Sequence, residues 1–347
     1  MSPGTIKELS EGKIIDFLRR QFNARSAALR KGIGDDAAVI HPAGADEDWI
    51  ISTDMLIEGV DFHRSWASPG QLGHKALAVN LSDLAAMGAQ PRFLTVALGI
   101  PDDVSEQWIH AFFKGLKKLG IIYKAHLIGG DLSRSPSEIQ ISITVLGESV
   151  HRKTTYRAGG KPGDAIYVTG TLGLAFAGLR LLQGGVRQAS TQPERRALVA
   201  QRTPQPRCAE GLWLAQSGYV RCMMDLSDGL SSDLPRLCTE SGTGAEVNLS
   251  RLPVFVESAN LHFDPIELAL HGGEDFELLF CVKSRESEAF EAAYPKHLAP
   301  IRCIGNLTAN PAIVQMAREG MPGLPLMPAG FDHFLSRAKP RRRLPAS

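Results

Sequence analysis

Six short acidic segments recur against apolar runs in this chain, and they constrain what it can fold into more than any other feature. They are GDDAA (Asp35, Asp36), STDM (Asp54), NLSDL (Asp83), GGDLS (Asp131), DLSDG (Asp225, Asp228) and GGEDFE (Glu274, Asp275), each beside glycine, serine or threonine. A carboxylate drawn into a buried setting must cap a helix, pair with a cation or hold a metal, because desolvating it alone is costly. Taken singly, each segment reads as a turn or a cap. Together they have the placement of ligands presented from the rim of a sheet, and their charges repel if they converge without cations. The sharpest case is VNLSDLAAMGA, residues 79–89, a helix-like apolar stretch in which Ser82 is placed to cap the helix and Asp83 to face a site.

The 347 residues exceed the size at which a single core usually divides, so two domains are expected. A formal charge of +1 argues against a nucleic-acid or other polyanion surface. Five cysteines without a CxxC pair fit a reducing compartment and small core positions rather than disulfides or zinc. The N-terminus has no apolar signal-like stretch and no run is long enough to span a membrane, which places the chain in the cytoplasm.

Along the first half the pattern predicts α, β, β, α, β, α, β, β. Ile14, Ile15, Phe17 and Leu18 share a helical spacing, SEQWIHAFFKGLKKLGI is a helix with a Ser-x-x-Gln cap at Ser105, and AHLIGGDLSRS is a strand entering a Gly-Gly-Asp turn. Two Gly and Pro clusters in TYRAGGKPGDAIYVTG mark a boundary near residue 155, giving domains 1–155 and 156–335. The second half predicts an α/β unit, with residues 188–207 as a polar, proline-containing connection. Residues 336–347 form a basic tail expected to be disordered.

Hard oxygen donors without histidine or cysteine suit Mg²⁺, which takes its remaining ligands from water and phosphate and so implies a phosphate-bearing substrate. No GxxxxGK[ST] or GxGxxG is present, so a nucleotide would be held through metal bridges, backbone amides such as those of Gly129 and Gly130, and Arg157. Ser227 lies between two acids with no basic partner, which argues against a nucleophile, and the ten histidines form no metal-binding spacing.

GIGDDAAVI, STDMLIEGVDF, KALAVNLSDLAAMGAQP, LIGGDLSRS, KPGDAIYVTGTLG, MDLSDGLSSDL, GGEDFELLF and GFDHF occur in one order across residues 30 to 334, and in this they resemble the thiamine-monophosphate kinase family. The resemblance implies a two-domain α/β (α+β) fold shared with aminoimidazole ribonucleotide synthetase, in which the N-terminal sheets of two subunits form a dimeric barrel-like core beside C-terminal α/β domains. It implies transfer of the ATP γ-phosphate to thiamine monophosphate, with ATP as co-substrate, several Mg²⁺ ions and a homodimer. The implied metal ligands are Asp36, Ser52, Thr53, Asp54, Asp83, Asp131, Asp225 and Asp228, with Asp83, Asp131 and Asp225 central to catalysis. Gly130, Asp131, Arg157 and Ser227 would line the ATP phosphates, and Asp61, Glu274 and Phe331 would contact the thiamine substrate, Phe331 by stacking. Another ATP-dependent enzyme of the same fold and a non-catalytic nucleotide-binding protein are the alternatives. A selenophosphate synthetase is disfavoured because the first cysteine is Cys208.

Overall fold

Alternating side chains build the first of two sheets in the computed structural model, which describes residues 10–22, 26–311, 313–317, 323–331 and 333. Strands β1 (Leu29–Lys31), β2 (Ala38–Ile40), β3 (Trp49–Ile57), β4 (Gln90–Ile100), β5 (His126–Arg134) and β6 (Gln140–Glu148) lie in the order β1-β2-β3-β6-β4-β5. Only the β4–β5 pair is parallel. Ile50, Leu56, Leu94, Val96, Ile141, Ile143 and Val145 fill one face, the period of two that a half-buried strand requires. Helix α2 (Pro69–Ala86) packs on that face and α3 (Glu106–Tyr123) packs on α2, while α1 (Glu11–Gln21) precedes the sheet. The opposite face keeps Thr53, Met55 and Ala97 exposed. Within one chain this sheet is open rather than a closed barrel, and β5 is its edge.

The second sheet contains β7 (Ala165–Thr169), β8 (Val220–Leu226), β9 (Gly244–Asn248), β10 (Glu277–Val282), β11 (Ile301–Thr308), β12 (Val314–Ala317) and β13 (Leu324–Pro325). Their order is β13-β12-β9-β11-β7-β10-β8. Its helices are α4 (Leu174–Gln183), α5 (Gln192–Arg202), α6 (Cys208–Ser217), α7 (Leu230–Ser241), α8 (Pro265–His271) and α9 (Ser287–Ala293). β7 and β10 are buried at every residue because both faces are covered. Tyr167, Met223 and Phe280 join a core shared with the first sheet, and Ile166, Met224 and Leu279 a second core on the other side. Burial on both faces explains why CMM in β8 and LLFCV in β10 read as unbroken apolar runs. Cys208, Cys222, Cys238 and Cys281 are free and buried, as small core residues.

Helix α2 links the halves: it touches β3 and β6 on one side and α6, β8 and β10 on another. A helix enclosed in this way is apolar around its circumference. Its N-cap is Ser68, in a reciprocal capping box with Gln71, and not Ser82, which lies deep within the helix. Three further sequence expectations change. Ser105 does cap α3 by accepting from the Trp108 amide, but the third helical residue is that tryptophan, so no Ser-x-x-Gln box forms. Gly129-Gly130-Asp131 is not a turn, because β5 runs straight through it. The polar connection 188–207 contains α5, opened by a Thr191–Glu194 capping box. Residues 336–347, the expected tail, lie outside the described residues.

Candidate active site

The strand-end rule holds for only part of the acid set, because three different kinds of element carry the carboxylates. Asp36 lies in the loop before β2, Asp225 near the end of β8 with Asp228 just after it, and Glu274 and Asp275 in the loop before β10. Asp54 sits in mid-strand, paired in register with Ile143, and Asp83 is helical. All except Asp131 and Asp275 line one cleft of about 1080 Å³ between the two halves.

At its floor, oxygens of Asp36, Asp83 and Asp225 lie within 4.8 Å of one another. Serines hold two of these carboxylates. Ser52 Oγ donates to Asp83 Oδ2, and Ser82 Oγ on α2 donates to Asp225 Oδ2 on β8 at 2.6 Å. The Asp54 backbone N–H donates to Asn80 Oδ1 at 3.0 Å, which ties β3 to α2 beside the cluster. Arg157 brings Nε to Asp36 Oδ1 at 3.0 Å and Nη2 to 2.5 Å of the same oxygen. Asp36 Oδ2 is buried and has no hydrogen-bond partner.

Burial raises the Asp36 carboxyl from 3.8 to about 7, with Arg157 opposing and Asp225 reinforcing the shift. It raises Asp54 and Asp225 to about 6. Asp83 is held well above its ordinary value by burial and then by the charges of Asp54 and Asp225. Such a group either shares protons or accepts a cation. The donors are all hard oxygens, and the unpartnered Asp36 oxygen offers a free ligand position, so the residues fit Mg²⁺.

Ser227, Asp228 and Phe331 line the cleft from the second half. Arg236 Nη1 pairs with Asp228 and Asp233, and the Phe331 amide donates to the Asp228 carbonyl at 3.2 Å. Asp61 Oδ2 accepts from the Ile57 amide at 2.7 Å and also faces the cleft. Thr53 projects to the other face of the sheet, where its hydroxyl meets Thr144 Oγ1 at 2.8 Å, leaving its backbone for the cleft side. Asp275 is not a ligand: its carboxylate accepts from the Gly173 and Ala175 amides and caps α4 from outside.

Gly130 and Asp131 do not join the others. They lie on β5, three strands from Asp54 through the registers Asp54–Ile143, Ile143–Val96 and Val96–Gly130, a separation of roughly 14 Å. The sequence reading passed over Trp66, Phe176 and Arg236, which line the cleft, and Lys75 and Gln201, which grip Glu274. The one available signal for Gln201 was the Thr-x-x-Glu box that starts its helix.

Residues 34–149 match the family model "AIR synthase related protein, N-terminal domain", and residues 161–316 match "AIR synthase related protein, C-terminal domain". The chain is 39% identical over 324 residues to thiamine-monophosphate kinase of Escherichia coli K12, covering 92% of this chain and 97% of that protein. It is 34% identical over 304 residues to the thiamine-monophosphate kinase of Bacillus subtilis, covering 87% and 93%. Among solved structures, AaThiL complexed with AMPPCP and TMP superimposes with a TM-score of 0.83 at 29% identity, covering 96% of this chain and 100% of that one.

Proposed function

Because the chain belongs to the thiamine-monophosphate kinase family, we propose that its cleft transfers the γ-phosphoryl group of ATP to thiamine monophosphate, giving thiamine diphosphate and ADP. The observation that carries this reading is the convergence of Asp36, Asp83 and Asp225 within 4.8 Å, a spacing at which three ionised acids need cations between them. Asp36, Ser52, Asp54, Asp83, Asp225, Asp228 and the backbone of Thr53 would hold several Mg²⁺ ions. When bound, these ions supply charge neutralisation for the nucleotide and acceptor phosphates.

The chain's own side chains do the remaining work. Arg157 and Ser227 face the ATP phosphates, while Asp61, Glu274 and Phe331 receive the thiamine end. An acceptor phosphate oxygen, anionic at neutral pH, attacks the γ-phosphorus in line as the bond to the β–γ bridging oxygen breaks and ADP leaves. No strong general base is required, so Asp83 and Asp225 act by holding charge rather than by taking a proton.

Gly130 and Asp131 enter through a second copy of the chain. Every residue of β5 is exposed, including Leu127, Ile128 and Leu132, and an unpaired apolar edge of this kind invites another chain. A homodimer along this edge would cover it and carry Asp131 and Gly130 of one protomer toward the partner's cleft. In this scheme residues 1–155 supply ATP binding, metal ligands and dimerisation, and 156–335 the α/β domain. A cytoplasmic location completes the proposal: among the described residues, no helix is long and apolar enough to cross a membrane.

The direct test is incubation of the purified protein with Mg-ATP and thiamine monophosphate, following thiamine diphosphate and ADP in equal amounts. Thiamine and an aminoimidazole precursor serve as competing acceptors. Product from either of these in place of thiamine diphosphate overturns the assignment.

A further inference from the structure

Glu274 is held by two side chains that the scheme above does not use. Lys75 Nζ lies 2.5 Å from Glu274 Oε1, and Gln201 Nε2 donates to Glu274 Oε2 at 2.5 Å. Lys75 Nζ also donates to Gln201 Oε1 at 3.3 Å, closing a three-membered network. Lys75 is 5% exposed and Gln201 4%, whereas Glu274 opens onto the cleft. The three come from α2, α5 and the loop before β10, so the network spans both halves of the chain.

The loop itself has little freedom. Glu274 has φ +67 and Phe276 φ +50, left-handed values that side chains rarely adopt. The Glu274 amide donates to the Ser227 carbonyl at 2.7 Å, and Asp275 is fixed on the start of α4. With its backbone pinned here and both carboxylate oxygens engaged, Glu274 is set in one orientation.

We propose that Lys75, with Gln201, is the positioning residue that sets acceptor specificity, by making Glu274 a charge-compensated hydrogen-bond acceptor for the amino group of the thiamine pyrimidine. This rests on the kinase reading of the cleft. A carboxylate has about four lone-pair sites, so one on each oxygen remains after Lys75 and Gln201 are served. Since Lys75 cancels the charge, what Glu274 offers is direction, and a directional acceptor selects an N–H donor. The 4′-amino group is the only N–H donor that thiamine monophosphate carries. Lys75 and Asp83 stand two turns apart along α2, about 12 Å, with the cleft-lining Val79 between them. One rigid helix therefore carries the metal-side carboxylate and the anchor of the acceptor-side one, which fixes the distance between the two ends of the acceptor.

The test uses the full-length enzyme with thiamine monophosphate and, as probe, oxythiamine monophosphate, in which an oxo group replaces the 4′-amino group. Lys75→Met should raise KM for thiamine monophosphate at least tenfold while KM for ATP moves less than threefold, and the preference for thiamine over oxythiamine monophosphate should fall by a similar factor. Lys75→Arg should recover most of the preference, and Lys75→Met combined with Glu274→Gln should be no worse than Glu274→Gln alone. Gln201→Ala, a milder change at the other arm, should lower the preference about threefold and decides the matter if Lys75→Met does not fold. Equal losses toward ATP and acceptor, or an unchanged preference in Lys75→Met or Gln201→Ala, overturn the inference while the kinase reading stands. A wild-type enzyme that makes no thiamine diphosphate overturns both.

Discussion

GGDLS at 129–133 and GGEDF at 272–276 both open with two glycines and an acid, yet one is an edge strand and the other a strained loop in the cleft. In the first, Gly130 lets β5 lie against β4, for a Cβ there would stand 1.9 Å from the Val96 carbonyl oxygen. In the second, a Cβ on Gly273 would stand 2.6 Å from the Ser227 carbonyl, so the glycine lets the loop close on the turn after β8. A glycine of each pair grants close backbone approach. What differs is the neighbour: an open sheet edge leaves Asp131 in solvent, whereas the packed loop turns Glu274 into the cleft and spends Asp275 on a helix terminus. A Gly-Gly-acid string therefore encodes proximity to another backbone, and the partner backbone decides the role of the acid.

Three measurements bear on this contrast. The largest effect is expected at the active-site acids. Asp83→Asn should lower kcat at least a thousandfold, about 4 kcal/mol of transition-state stabilisation, with an unchanged melting profile. Asp131→Asn should also be inactive if the edge strand serves a second subunit. Co-expression of the two variants then restores roughly a quarter of wild-type activity, because about half the dimers are hybrid and each hybrid carries one intact site. Hybrids without activity would show that Asp131 does not act across the subunit boundary, and a fully active Asp131→Asn variant would leave the edge strand a purely structural element.

A smaller effect concerns the glycines themselves. Gly130→Val should destabilise the chain by about 3 kcal/mol in urea unfolding, because β5 must lift from β4. Gly129→Val, whose Cβ meets nothing within 4 Å, should change stability by less than about 0.5 kcal/mol. Equal costs at the two positions would contradict the account of why the pair is there.

The smallest effect is a pH dependence confined to the cleft. Asp36 at about 7 and Asp54 and Asp225 at about 6 are raised above the ordinary 3.8, so the metal-free fold binds more protons than the unfolded chain. Their contribution is complete below pH 4 and is lost as pH rises from there through 7. On the proposed function magnesium would bind the deprotonated forms, so it should raise the melting temperature by a few degrees more at pH 7.5 than at pH 5.5. A larger gain at the lower pH would refute the cluster as the cation site.

Much of this was legible beforehand because local pattern carries it. A β-rich run marks β3, period-two alternation marks β6, the apolar runs mark β8 and β10, and a carboxylate in small apolar sequence has so few tolerable environments that Asp83 and Asp225 stand out without a structure. Helix α5 was hidden by its polar composition and prolines, although Pro193 stands in its first turn, where a proline costs no hydrogen bond. Ser82 resembled a cap because hydroxyl and acid side by side usually are one, and only the arrival of β8 shows that its hydroxyl is directed at Asp225.

The sequence by itself determined the donor chemistry, hard oxygens without a P-loop, and the family to which the order of motifs belongs. Which of those acids meet was decided by the tertiary structure. Sheet order places Asp131 three strands from Asp54, while α2, lodged between the halves, brings Asp83 to Asp36 and Asp225 and Lys75 to Glu274. Those juxtapositions join residues tens to hundreds of positions apart. They follow from how strands pair and helices pack, and no local periodicity records them.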